Sequence, residues 1–427
     1  MAVAIGFLLL AVLLVIGLPV ALALALSGAV GLYFVGGTAL STGILAAAPL
    51  GAVESYEFVM IPMFILMANF IVVSGVADDM FNIAKTWMGR VPGGLAHATA
   101  ITGAAFGAIS GSSTAAAATL SSTTIPGMIK HGYDRRLASG VVAISGTLSM
   151  LIPPSGAMII YALLADMSVA KLLIAGIIPG LMVTAAIMLT ILFLVWRNPD
   201  HAPSAESYTW RQKFGSLKAA WSFILLFTLV TVVIYTGIGT PTEASAVGAL
   251  AALLLAVSRG TTVKELIHAA LATAEASCMI ALIFLGAQIF VYFLTMTQAT
   301  QDLVAYVMAS GIPPLAILIL ALAMYLILGC FMDLVAMLIL TVPVVTPLIL
   351  QLGYDPIWFA VITIVMGEVG VLTPPLGMNV FVISKYTKMP VADVFRGSFP
   401  HVIAHLILVA ILVAFPGLVT WLPSTMQ

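Results

Sequence analysis

The sequence predicts an all-α polytopic membrane protein made of two inverted-topology repeats, each with five spans and one re-entrant hairpin. Three observations predict it: the composition, an internal repeat at a fixed offset, and the placement of the few basic residues. Of 427 residues, 62% are hydrophobic and only 7% are charged, outside what a water-soluble domain of that length shows. A spanning helix needs roughly 20 apolar residues to cross about 30 Å of hydrocarbon. Such runs recur from residue 4 to residue 422 and leave no room for an aqueous domain. The opening stretch MAVAIGFLLLAVLL lacks the basic region and small-residue cleavage site of a signal peptide, so it reads as a retained first span. The two cysteines, Cys278 and Cys330, lie in apolar runs without metal-ligand spacing and read as small buried hydrophobes. A net charge of -1 names no partner, and no nucleic-acid partner is expected.

The repeat is visible residue by residue. Pro153, Pro154, Gly156, Gly176 and Pro179 return 221 residues later as Pro374, Pro375, Gly377, Gly397 and Pro400. At the same offset HGYD, ending on Asp134, returns as LGYD, ending on Asp355, and Pro126 returns as Pro347. Gly17 and Pro19 match Gly239 and Pro241 at 222. A duplicated chain is the simplest source of such a pattern.

Basic residues gather on the cytoplasmic side of membrane proteins. The most polar loop carries Arg197, Arg211, Lys213 and Lys218, which makes it cytoplasmic. Counting spans outward from it brings Lys130, Arg135, Arg136, Arg259, Lys264, Lys385, Lys388 and Arg396 to the same face. Five crossings per half force the second copy to enter from the opposite side, the inverted repeat of secondary transporters. Both chain ends are then periplasmic.

The first repeat, 1–196, divides into scaffold spans over about 1–76, an interfacial helix over about 77–90, a hairpin over about 92–130, a broken helix over about 137–165 and a span at 172–196. A cytoplasmic linker, 197–218, follows. The second repeat, 219–427, has scaffold spans over about 219–297, a hairpin over about 313–351, a broken helix over about 356–385 and a span over about 399–422. The hairpins read as re-entrant because arms of about 15 residues reach only about 22 Å, and the midpoint LILGCFMDLVAM lacks the clustering of a water-exposed loop. Two stretches, 75–94 and 258–277, mix charge with apolar residues at helical spacing and suit interfacial helices or extended span ends equally.

The chemistry-bearing residues lie where helices must stop. At the first hairpin tip, Ser110, Gly111, Ser112, Ser113 and Thr114 offer hydroxyls where one arm's carbonyls and the next arm's N–H groups are unpaired. Ala115 to Ala118 read instead as a small-residue packing surface. Asp333, 221 residues after Ser112, is an acid near mid-membrane and a functional candidate by default: cation ligand, proton carrier or substrate partner. Glu368 precedes the second proline pair and suits support of that break; Glu243 suits a capping role at the start of a span. His401 and His405 share a helix face and read as structural. Each proline pair removes two N–H donors and clashes with the preceding turn, so the helix breaks there, freeing carbonyls before and N–H groups after.

The ordered set GAISGSSTAAAATLSSTTIPGMIKHGYDRRLASG, LIPPSGAMIIYALLADMSVAKLLIAGIIPGL, TPTEASAVGAL and LTPPLGMN resembles the large membrane subunit, of DctM or SiaM type, of tripartite ATP-independent periplasmic (TRAP) transporters. The resemblance runs along essentially the whole chain. It implies Na+-driven uptake of an organic acid delivered by a periplasmic binding protein, a separate small four-span membrane subunit, and an elevator motion of hairpins and broken helices against a scaffold. It implies no cofactor beyond Na+ as coupling ion, lipid as the surrounding partner, and a place in the bacterial inner membrane. Carried over by position, Na+ ligands fall on Ser110, Gly111, Ser112, Gly146, Pro153, Gly329, Asp333, Gly367, Thr373 and Met378. Substrate contacts fall on Ser112, Ser113, Thr114, Ser155, Asp333 and Asn379. Two other readings compete. One is a stand-alone ion-coupled symporter of similar architecture; the other is an intramembrane serine protease using Ser112 or Ser113, which needs a histidine on a facing span and finds only His401 and His405.

Overall fold

Glycine, proline and short capping side chains decide where the helices of this chain begin and end. The structure, a computed structural model, describes residues 1–203 and 208–426, so residues 204–207 of the expected linker lie outside the described residues. The first half runs α1 (Ala2–Val15), α2 (Val20–Val53), a 3-10 turn at Tyr56–Val59, α3 (Met60–Val73) and α4 (Val76–Met88). It continues with α5 (Gly94–Ser110), α6 (Ser113–Thr123), α7 (Ile125–Lys130), α8 (Arg135–Thr147), α9 (Gly156–Leu164), α10 (Val169–Ala175) and α11 (Ile177–Arg197). The linker holds α12 (Trp210–Ser216). The second half runs α13 (Trp221–Thr236), α14 (Pro241–Ser258), α15 (Val263–Thr297), α16 (Ala299–Ala309), α17 (Pro314–Phe331), α18 (Leu334–Gln351), α19 (Pro356–Val371), α20 (Met378–Thr387), α21 (Val391–Ala414) and α22 (Gly417–Ser424).

The offset seen in the sequence reappears in the helix starts. α2 and α14, α6 and α18, and α8 and α19 begin 221 residues apart, and the caps explain why. Asp134 accepts the N–H groups of Arg136 and Leu137 at 2.9 and 3.0 Å, and Asp355 accepts that of Trp358 at 2.8 Å. Each satisfies donors that a helix start leaves unpaired. The preceding Gly132 and Gly353 take left-handed φ values of 80° and 82°, conformations that a side chain would strain. After α9 and α20, equivalent turns hold Asp166 and Lys388 at φ 51° and 54°.

The halves pack crosswise. α2 lies against α15 and α3 against α14, forming one group of helices with α1 and α13. In the other group α9 lies against α18 and α6 against α20, and the Tyr161 hydroxyl of α9 meets that of Thr346 in α18 at 2.9 Å. At the centre, every residue from Leu137 to Thr147 in α8 and from Trp358 to Val371 in α19 is buried. Small residues make that depth possible: α8 and α21 approach so closely at Gly140 and Gly397 that any side chain there meets the facing backbone.

Among the described residues nine helices are long and apolar enough to span a membrane; the broken pairs α8/α9 and α19/α20 are too short to qualify singly. Four expectations change. α17 and α18 have 18 residues each, so arm length does not decide whether the second hairpin is re-entrant, whereas α6, with 11, cannot cross alone. Residues 37–53 are not a loop: α2 folds back at Gly36 and Gly37 (φ 69°), which lets the Ser41 hydroxyl reach the Ala29 carbonyl at 3.1 Å. Of the two mixed stretches, the first is a separate helix, α4, whereas the second is the start of the unbroken α15. Cys330 is buried, but Cys278 is exposed.

α4 is tied down from two sides. Arg259 bonds Asp79, the Ser74 carbonyl and the Ser222 hydroxyl. Lys213 of α12 donates to the Trp87 carbonyl at 3.2 Å and lies over the rings of Trp87 and Trp210. Glu243 completes a capping box, accepting the Thr240 N–H at 2.7 Å while Thr240 Oγ1 accepts its own N–H at 3.2 Å, the role its place in the sequence suggests.

Candidate transport site

Four interruptions of helical backbone define the site: the α5/α6 and α17/α18 tips and the α8/α9 and α19/α20 breaks. In the first tip Gly111 ends α5 in the left-handed region (φ 58°), and Ser112 caps α6, accepting the Ala115 N–H at 3.4 Å. Thr114 stands 3.3 Å from the Ser112 hydroxyl, and the buried Ser110 Oγ has no hydrogen-bond partner. In the second tip Asp333 holds the position of Ser112 and does the same local work, accepting the Ala336 N–H at 3.2 Å. Both residues named from the sequence as ligands are thus also N-caps, a function worth about 1 kcal/mol each.

Both proline pairs, Pro153-Pro154 and Pro374-Pro375, are cis. Before the first lies a 3-10 turn, Leu148–Met150; after it Ser155 donates to the Met150 carbonyl at 2.5 Å and accepts the Met158 N–H at 3.3 Å. After the second pair α20 begins at Gly377 (φ 56°) without a side-chain cap. Thr373 turns its hydroxyl back to the Val369 carbonyl at 2.7 Å. Asn379, in the first turn of α20, is fully buried with neither amide atom paired, and Met378 beside it is partly exposed.

Each tip rests on the break of its own half. A Cβ on Gly111 would stand 3.5 Å from the Pro154 carbonyl oxygen, and one on Gly146 would stand 3.0 Å from that of Ser113. In the second half a Cβ on Gly329 would stand 2.7 Å from the Gly367 carbonyl oxygen, and the Leu376 N–H bonds the Cys330 carbonyl at 3.3 Å. Glycine is required at these positions because backbone meets backbone. So the first set of expected residues, Ser110 to Thr114 with Gly146, Pro153 and Ser155, comes together. The second set, Gly329, Asp333, Gly367 and Thr373, comes together separately.

What links the two sets is a residue that sequence reasoning had only as a support for the second break. Glu368 is 3% exposed, neither carboxylate oxygen has a hydrogen-bond partner, and it stands between the halves. Ser113 of the first tip is the hydroxyl beside it, short of a direct bond, and the charge of Asp333 in the second tip acts on it. His405 lines the same small cavity as Glu368, far from Ser112, so the chain offers no serine–histidine pair for proteolysis. A larger cavity of about 410 Å³ opens elsewhere, between Ser55 to Phe58, the turn around Asp166 and the start of α14.

Apolar helices interrupted in matched pairs, with hydroxyl, amide and carboxylate groups gathered at the interruptions, define a multi-pass membrane transport protein rather than an enzyme. Comparison with known proteins agrees. Residues 7–418 match the family described as "Tripartite ATP-independent periplasmic transporter, DctM component", and the chain belongs to that family as a TRAP transporter large permease. It is 34% identical to the C4-dicarboxylate TRAP transporter large permease protein DctM of Pseudomonas aeruginosa, over 87% of each chain. It is 32% identical to the sialic acid TRAP transporter large permease protein SiaM of Vibrio cholerae, over 90% of each. Among solved structures, the YdaH transporter of Alcanivorax borkumensis shares the fold, with a TM-score of 0.64 and 13% identity over 90% of each chain.

Proposed function

We propose that the chain imports an organic acid of the sialic acid or C4-dicarboxylate class across the bacterial inner membrane, coupled to Na+. A periplasmic binding protein delivers the acid, and a small four-span membrane subunit completes the complex. The observation that carries this reading is the pairing of each hairpin tip with the helix break of its own half, repeated at a 221-residue offset. Carbonyls left unpaired at such breaks suit Na+, and helix starts suit a carboxylate. The Na+ ligands are Ser110, Gly111, Ser112, Gly146 and Pro153 in the first half and Gly329, Asp333, Gly367, Thr373 and Met378 in the second. Substrate contacts come from Ser112, Ser113, Thr114, Ser155, Asp333 and Asn379. The inverted repeat supplies alternating access: the hairpins and broken helices move as a unit against the frame of α1 to α3 and α13 to α15, in an elevator motion.

Proteoliposomes holding this chain, with the small subunit and with candidate binding proteins, provide the test. Labelled acid should accumulate only under an inward Na+ gradient and only with both partners present. Uptake without either partner would replace this reading with a stand-alone symporter, and uptake indifferent to Na+ would remove the coupling ion. Ser112→Ala and Asp333→Ala should each lower uptake at least about tenfold, the loss of one polar ligand contact, while co-purification with the small subunit is unchanged.

A further inference from the structure

Hydrogen-bond acceptors from both halves surround Glu368, and no donor satisfies them. Its carboxylate oxygens are buried and unpaired. Ser113 lies at its side, and Asp333 is near enough for charge to matter. On the remaining side Glu368 and His405 share a cavity of about 10 Å³ with Thr147, room for about one water-sized particle. His405 Nδ1 lies 2.9 Å from the His401 carbonyl oxygen and therefore carries its hydrogen. Its Nε2, buried and unpaired, is left as an acceptor. The Thr147 hydroxyl is committed to the Ile144 carbonyl at 2.6 Å. No lysine or arginine lines this cavity.

Two carboxylates and an imidazole lone pair, close together in a medium of low dielectric, repel one another unless something positive joins them. The basic residues of the helices packed here lie at helix ends: Arg135 and Arg136 open α8, Arg197 closes α11, and Arg396 is bound up near Asp393. Tyr161 is bonded to Thr346, and Tyr325 stacks on Phe359. We propose that Glu368 is the anionic anchor of an alkali-cation site shared by the two hairpin tips, with Ser113 and Asp333 as its polar neighbours. The proposal rests on the reading of the chain as a cation-coupled importer and adds a ligand that neither the internal repeat nor the family resemblance names; the equivalent of Glu368 in the first half is Thr147. One ion at this point draws together residues of both halves, so its arrival and departure change how firmly the tips hold each other.

The experiment is a cation titration of the purified full chain in lipid nanodiscs at constant ionic strength, with Na+, K+ or Li+ replacing choline and thermal stability as the readout. Wild type should be stabilised by Na+; Glu368→Gln, which keeps shape and removes charge, should need at least about tenfold more Na+ for the same shift, and Ser113→Ala a few-fold more. A Glu368→Gln protein that titrates like wild type overturns the site, and so does a wild type indifferent to all three ions. A response to K+ or Li+ but not Na+, lost in Glu368→Gln, upholds the site and instead defeats Na+ as the coupling ion. All variants are first compared in choline. Should Glu368→Gln fail to fold, Glu368→Asp and Ser113→Ala carry the measurement, and unchanged titrations in both overturn the site.

Discussion

The two proline breaks have the same sequence origin and opposite exposure. Pro153, Pro154 and Ser155 are buried, whereas Pro374, Pro375 and Leu376 are exposed. The first break is sealed from within: Ser155 satisfies one carbonyl and one N–H, and Gly176 lets the α10/α11 junction close on Leu151 and Met158. The second has Leu376 where the first has Ser155, and it starts its helix on a left-handed glycine. A duplicated motif can therefore keep its break while one copy becomes structure and the other stays open to what surrounds it. In the elevator reading, the open copy is the one free to change partners during a cycle.

Variants can break or sharpen this contrast. The largest effect is expected at Gly176→Val, whose new side chain meets the Leu151 carbonyl and the Met158 side chain; melting should show a loss of about 1–3 kcal/mol or failure to accumulate in the membrane. Ser155→Ala removes a cap and strands the Met150 carbonyl, about 1–2 kcal/mol in the same assay. Gly377→Ala, forced into φ 56° against the Phe395 ring, should cost about 1–2 kcal/mol, which isolates the contribution of the left-handed start. Leu376→Ser should leave stability within about 0.5 kcal/mol. Finally, a membrane-impermeant thiol reagent should label Leu376→Cys and spare Ser155→Cys; equal labelling would erase the contrast.

Much of this was legible before any coordinates. Proline pairs, caps such as Asp134 and Asp355, and the 221-residue offset are local signals, and each marks a helix boundary found in the structure. The fold-back of α2 at Gly36 and Gly37 was not, because two glycines in an apolar run are compatible with packing as well as with a turn. Nor was the exposure of Cys278, since lipid-facing and core-facing positions are equally apolar and periodicity no longer marks the buried face. Glu368 was visible as an odd acid, but its neighbours Ser113 and Asp333 come from elements 255 and 35 residues away in sequence, and only the crossing of the halves brings them together.

The turns at Asp166 and Lys388 separate shape from address. Both occupy the left-handed region within 3° of each other, so the duplicated chain kept one bend, yet one copy carries an acid and the other a base. In the orientation expected from the basic residues, Asp166 faces the periplasm and Lys388 the cytoplasm, the side that retains lysine during insertion. Ancestry would then account for the curve of the backbone, and the water into which each copy was threaded for the charge it bears.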